Sequence, residues 1–210
     1  MFATSFWTEV FSMVIPDWLF YPLSAFFAAI LIAVSYFYWP GQTHQANPFD
    51  VSPESELVIT GQQLTLMQAA QGLSTQTQEE DGIVFLRTAA GQGPDDGNPS
   101  AGVFLTLPKA FSLAYGEKAV EITMIVRGGG ANPSPAIILA YYSPGRGNSP
   151  RQKCNLDALW RTCTLTYTPP AANQNTNVDY VGMWPDLEGL SRAADIREIR
   201  IKPRSSRSSK

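Results

Sequence analysis

Two cysteines, Cys154 and Cys163, are the most constrained reactive pair in this chain of 210 residues. If residues 152–156 and 161–168 form a hairpin closed by 157–160, then 156 opposes 161 and 154 opposes 163. Directly opposed residues carry Cβ atoms about 4.5–5.5 Å apart. A disulfide needs about 3.5–4.5 Å, so a bridge is within reach. An oxidising compartment would form it, whereas cytoplasm would leave two buried thiols. A nucleophilic cysteine has no support, because the single histidine, His44, lies in a polar, proline-bearing stretch far along the chain.

The carboxylates are no more reactive. Asp95, Asp96 and Asn98 in GQGPDDGNPS offer cation ligands, but calcium wants about six to eight oxygens and this run reads first as a turn. Glu79, Glu80 and Asp81 read as a solvated loop. Pairing them with Asp186 or Glu188 as the acid and base of a glycosidase needs a separation that spacing alone does not fix. Gly128-Gly129-Gly130 is followed by Ala131, Asn132 and Pro133 rather than by Lys and Ser, so it is a strand connection and not a phosphate cradle. No catalytic constellation and no metal site are expected. The basic residues are few and leave no nucleic-acid footprint.

The elements that would position these groups fall into five segments. Residues 1–17 carry Phe2, Phe6, Trp7 and Phe11 at a helical period and predict a short amphipathic helix lying in a membrane interface. Its polar face holds Glu9 and no base, so a protein partner suits its apolar face as well as lipid does. Residues 18–39 run without a charge, and the spacing predicts a transmembrane helix about 33 Å long. Trp18 and Tyr21 mark one end, Tyr36, Tyr38 and Trp39 the other, with Phe26, Phe27 and Phe37 between. A secretory leader is disfavoured by the missing basic n-region, the length of the run and the lack of a small-x-small site after it. Residues 40–56 read as a proline-stiffened linker. Residues 57–203 read as an all-β sandwich (jelly roll), and 204–210 as a flexible basic tail.

Charge is distributed unevenly. All fifteen Lys and Arg lie at Arg87 or later, while the first 86 residues hold eight acids. The positive-inside rule therefore assigns no orientation. The cysteine pair favours the periplasm for the β domain of a single-pass protein of a bacterial inner membrane.

Within the β domain, short β-branched and aromatic runs are punctuated by Gly, Pro, Asn and Ser. Strands are expected over 57–60, 64–67, 83–88, 102–107, 120–127, 136–143, 152–156, 161–168, 180–184 and 196–201. The clearest alternation is Val120, Ile122, Met124 and Val126 against Glu121, Thr123 and Arg127. Strands at this spacing argue two sheets that bury their facing side chains.

The run VEITMIVRGGG, AIILAYYS, LWRTCTLTYTPPA, DYVGMWPDLEG and DIREIRI resembles the galactose-binding-like jelly rolls, which include many carbohydrate-binding modules. A Trp enters a Thr-rich strand ending in Pro, an aromatic strand runs into a Pro-containing turn, and a strand of alternating Ile and charge closes the domain. The resemblance covers about 145 residues and implies the fold. It also implies that aromatic faces would form a sugar platform. Tyr142, Trp184 and Arg192 are then the candidate contacts, with Trp184 the best exposed. Trp160 and one of Tyr141 and Tyr142 would be core. A structural calcium near the sheet edge is a further implication, but Asp195 only precedes the final strand, so no cofactor is expected.

Two functions follow. The first is a non-catalytic accessory subunit of a larger integral-membrane complex, photosynthetic or respiratory, docked through the aromatic transmembrane helix. Its partners would be integral-membrane subunits and the lipid bilayer. The alternative is a membrane-anchored carbohydrate-binding module with a glycan partner.

Overall fold

The structure, a computed structural model, describes residues 17–38, 47–96 and 100–204, with the side chains of 18–33 in the first segment. Phe2, Phe6, Trp7 and Phe11, the side chains of Tyr36 and Phe37, Trp39, His44, Asn98 and the tail from 205 lie outside the described residues. The chain divides into two compact units between Gln45 and Ala46.

The first unit contains helix α1, Asp17–Tyr38. Pro22 sits in its second turn, and the Ser24 hydroxyl donates to the Tyr21 carbonyl at 3.0 Å. Trp18, Tyr21, Phe26 and Phe27 are exposed. Among the described residues, no helix is long and apolar enough to cross a membrane. The expected transmembrane helix over 18–39 is thereby corrected to an exposed apolar helix. The single-pass inner-membrane location loses its basis too. So does docking on a photosynthetic or respiratory complex, with its lipid and integral-membrane partners.

Among the described residues, the second unit is a sandwich of twelve strands: β1 Leu57–Thr60, β2 Gln68–Ala69, β3 Leu73–Glu80, β4 Ile83–Ala90, β5 Val103–Thr106, β6 Val120–Gly129, β7 Ala136–Ser143, β8 Gly147–Asn148, β9 Gln152–Asn155, β10 Arg161–Tyr167, β11 Tyr180–Trp184 and β12 Ala193–Pro203. Sheet I has the order β10-β6-β12-β4-β3, with β1 also on β12. Sheet II has the order β2-β5-β11-β7-β8, with β9 also on β7. Each sheet turns its alternate residues inward. Ile122, Met124 and Val126 of sheet I meet Leu105, Ile137, Leu139, Val181 and Met183 of sheet II, all buried in one core.

Strand β12 shows how sequence sets register. Ile196, Ile199 and Ile201 are all buried, yet 196 and 199 are an odd number of residues apart and cannot share a face of a regular strand. The ladder with β6 shifts between Ile196 and Glu198, and the bulge at Arg197 restores the apolar face. On its other edge β12 pairs first with β4 and then with β1.

Besides the two-residue strands β2 and β8, three elements depart from the expected layout. Residues 73–80, LSTQTQEE, form the edge strand β3, joined to β4 by a two-residue Asp81-Gly82 turn with both residues at positive φ. So Glu79 and Glu80 lie on a strand, and only Asp81 is in the turn. Residues 61–66 form a 3-10 helix instead of the start of a strand over 64–67. Helix α2, Lys109–Tyr115, buries Phe111 and Tyr115 at one end of the core, where the Phe49 ring meets Phe111 edge-on at 5.9 Å. Part of the stretch expected as linker thus packs on the sandwich.

Cys154 and Cys163 form a disulfide with Cα atoms 5.9 Å apart. The expected hairpin between their strands does not form. Strand β9 pairs with β7 in sheet II, and β10 pairs with β6 in sheet I. The bridge therefore ties one sheet to the other at the sandwich edge. Equal spacing about a turn cannot distinguish two strands of one sheet from two strands facing each other across a core.

Candidate functional site

The outward face of sheet II is not plain surface. Strand alternation turns Tyr141 into the core and Tyr142 out, Leu105 in and Phe104 and Thr106 out, Val181 in and Tyr180 and Gly182 out. Register then assembles these outward residues into two rows across the strands. In the first, Tyr180 pairs with Thr106 on one side and Tyr142 on the other, and Tyr142 pairs with Asn148. In the second, Gly182 pairs with Phe104 and Ala140, and Phe104 pairs with Gln68. At ~4.8 Å between strands, each row is about 14 Å long.

The rows form the floor of a groove of about 800 Å³. Phe104 and Tyr180 meet diagonally, edge to face, with ring centroids 5.4 Å apart. Tyr142, half-buried, continues the aromatic surface. Gln68, Thr106 and Asn148 border the rings with uncharged donors and acceptors. Ser100 and Ala101 form one bank, which the Trp184 indole N–H holds by donating to the Ser100 carbonyl at 3.4 Å. Among the described lining residues the only charges are Asp95 and Arg151, and they neutralise each other at 2.5 Å. Burial pushes the Tyr142 phenol above its usual value, opposed by the charge of Arg151. The phenol stays protonated at neutral pH and can donate.

The expected contacts are scattered. Tyr142 lies in the groove. Trp184 is only 1% exposed and packs with Ala90 and Ile138 beneath the bank, which corrects its expected exposure. It does point away from the main core, but a loop covers it. Arg192 pairs with Glu188 at 2.9 Å and does not line the groove. Tyr141 is buried in the core, where its hydroxyl donates to Asp179 at 2.7 Å. Trp160 sits outside sheet I, edge-on to Phe85 at 5.8 Å, with the Arg127 guanidinium 4.5 Å from its ring centre. Phe104, Tyr180 and Arg151 were not singled out by sequence. The alternation of their strands carried the signal: in 102–107 and 180–184, Phe104 and Tyr180 are the large residues out of phase with Val103, Leu105, Val181 and Met183.

Most of the candidate carboxylates are engaged in structural contacts. Asp186, 1% exposed, accepts from the backbone N–H groups of Glu188, Leu190 and Arg192 at 3.1, 2.6 and 3.1 Å and shapes that loop. Asp96 accepts from Gly93 N–H at 2.8 Å. Asp95 binds Arg151, and Glu80 accepts from Arg127. Asp195 lies within β12 rather than before it, and fully buried. Arg87 holds both its oxygens, at 2.8 and 3.0 Å, and Arg127 adds a third bond at 3.1 Å. Gly129 has no room for a side chain because that carboxylate occupies the space. A calcium ion does not fit there, since two guanidinium groups already balance the acid. Among the described residues, no group of three or more His, Cys, Asp or Glu could hold a metal ion.

No protein-family model and no curated protein sequence matches the chain. Solved structures similar to it include carbohydrate-binding modules, the kind of module the strand-and-turn pattern resembles. The CBM22-1 xylan-binding domain of Paenibacillus barcinonensis Xyn10C is 15% identical, with a TM-score of 0.48, over 70% of this chain and 92% of that one. A CBM4 structure is 18% identical, with a TM-score of 0.41, over 78% of this chain and 93% of that one. The family 11 module of Clostridium thermocellum, in complex with a mixed-linked β-1,3-1,4 tetrasaccharide, is 15% identical, with a TM-score of 0.37, over 65% and 86%.

Proposed function

We propose that the β unit is a non-catalytic carbohydrate-binding module whose groove on sheet II takes an uncharged, extended oligosaccharide. The observation that supports this reading is the cross-strand row Thr106, Tyr180, Tyr142 and Asn148, with Phe104 beside it. Sugar rings present apolar C–H faces and a rim of hydroxyls. Rings such as Phe104 and Tyr180 suit the faces, and Gln68, Thr106, Asn148 and the Tyr142 phenol suit the rim. The described lining carries no net charge, so an acidic polymer gains no attraction there. The groove is long and open, which fits a segment of a chain better than a small enclosed molecule.

Calorimetric titration of the full chain with soluble neutral polysaccharides (xylan, mixed-linked β-glucan, glucomannan) and with polygalacturonate tests the reading. Binding to at least one neutral polymer is expected, at least tenfold tighter than to polygalacturonate by about 1.4 kcal/mol. Equal or tighter binding of the acidic polymer, or none of any polymer, overturns it.

A further inference from the structure

We infer that Gly182 and Trp184 are positioning residues that fix the Ser100–Ala101 bank against the groove floor, and so set its width before any ligand arrives. The inference rests on the carbohydrate-groove reading for what the groove holds, but its geometry stands apart from it.

Gly182 lies on the outward face of β11, in the row beneath the bank. A Cβ there would fall 2.9 Å from Tyr142 Cε2 and 3.0 Å from Ala101 Cβ, and nearer still to the Ala101 carbonyl oxygen. The missing side chain is thus shared space: the Tyr142 ring reaches into it from one side and the bank's backbone from the other. Two residues on, Trp184 fills the same face under Ser100 and donates its indole N–H to the Ser100 carbonyl. From below, Ala90 and Ile138 pack the indole, so its position is inherited from the body of the sandwich. Gly102 completes the fit. It has φ +74, and a Cβ there would come within 3.0 Å of Trp184 Cδ1 and closer to the Met183 carbonyl oxygen. The bank is therefore seated by backbone contact at two glycines and one indole hydrogen bond, with the Ser100 hydroxyl accepting from the Gly102 N–H at 3.2 Å to brace its own turn.

The test uses the full chain with 15N-labelled tryptophan indoles, followed by NMR, and calorimetry with xylohexaose and cellohexaose as probes. Gly182→Ala must push the Ala101 backbone outward. The Trp184 indole N–H resonance is expected to move toward that of an unbonded indole, while that of Trp160, outside the other sheet, stays in place. Affinity for whichever probe binds falls by about tenfold or more. Trp184→Phe keeps an aromatic filler but removes the donor, and it is expected to lose affinity with its thermal transition still cooperative. It decides the matter if Gly182→Ala does not fold. An unmoved Trp184 resonance in Gly182→Ala, equal movement of Trp160, or unchanged affinity in both variants overturns the inference. If the wild type binds no glycan, the carbohydrate reading fails, and the indole resonances still decide whether Gly182 seats the bank.

Discussion

Breaking the Cys154–Cys163 bridge should loosen the sandwich by an amount the fold allows one to calculate. The two residues are nine apart in sequence but join β9 of sheet II to β10 of sheet I. Cross-linking acts mainly by shrinking the unfolded ensemble, and for a closed loop of about ten residues the chain-entropy relation gives about 2.7 kcal/mol at ~25 °C. In a unit of this size that corresponds to a fall in Tm of about 5–10 °C. Little else should change on reduction, because Cys163 remains a small apolar filler in the core when its thiol is free. Urea unfolding of the full chain, oxidised and then reduced, measures the difference through a transition of the β unit. The Cys154→Ala/Cys163→Ala double variant should match the reduced form to within about 1 kcal/mol, the scale of one lost sulfur contact. A reduced protein that unfolds at the same urea concentration as the oxidised one would refute the reasoning. So would a loss so large that reduction alone unfolds the chain, since a short loop cannot account for it.

Three further outcomes are expected. Tyr180→Ala removes the partner of Phe104 and should weaken glycan binding by about tenfold in calorimetry, with far-UV circular dichroism unchanged; unchanged affinity would move the ligand off this row. Asp195→Asn leaves Arg87 and Arg127 without their shared acid and should cost about 2 kcal/mol in urea unfolding, less than for a sealed ion pair because both arginines retain some solvent; wild-type stability would contradict the assignment of Asp195 as the anchor of this network. The Arg127 guanidinium holds the Glu80 carboxyl below the ordinary glutamate value of 4.5. A depressed folded-state pKa gives stability that is present above that value and lost as pH falls through the folded one. Glu80→Gln should therefore flatten part of the acid-side decline below about 4.5 and change nothing in its shape near neutrality, as read from Tm against pH.

Strand-forming segments were legible where side-chain pattern and burial coincide. Strands β7 and β11 have the bounds expected, and the alternation of β6 is the one its sequence displays. Strand β3 was not legible, because an edge strand needs no apolar face and LSTQTQEE has almost none; Asp81-Gly82 was the available clue, a two-residue turn between strands. Trp184 misled for a different reason. A Trp beside a Pro-containing turn reads as exposed, and only the tertiary path of the Ser100–Ala101 segment covers it. The groove itself depends on register between strands distant in sequence. Alternation within each strand marks Phe104 and Tyr180 as outward, but only that register brings them beside Tyr142. In the helix, the run of apolar residues was plain. Among the described residues, however, no helix is long and apolar enough to cross a bilayer.

The outward face of sheet II, and not that of sheet I, is expected to hold an uncharged glycan. Backbone amide NMR of the full chain, titrated with the oligosaccharide that calorimetry identifies, tests it most directly. Shifts are expected to concentrate at Gln68, Phe104, Thr106, Tyr142, Asn148 and Tyr180, with Phe85, Arg127 and Trp160 on the other sheet unmoved. Shifts centred on the second set, or none at saturating oligosaccharide, would contradict the account.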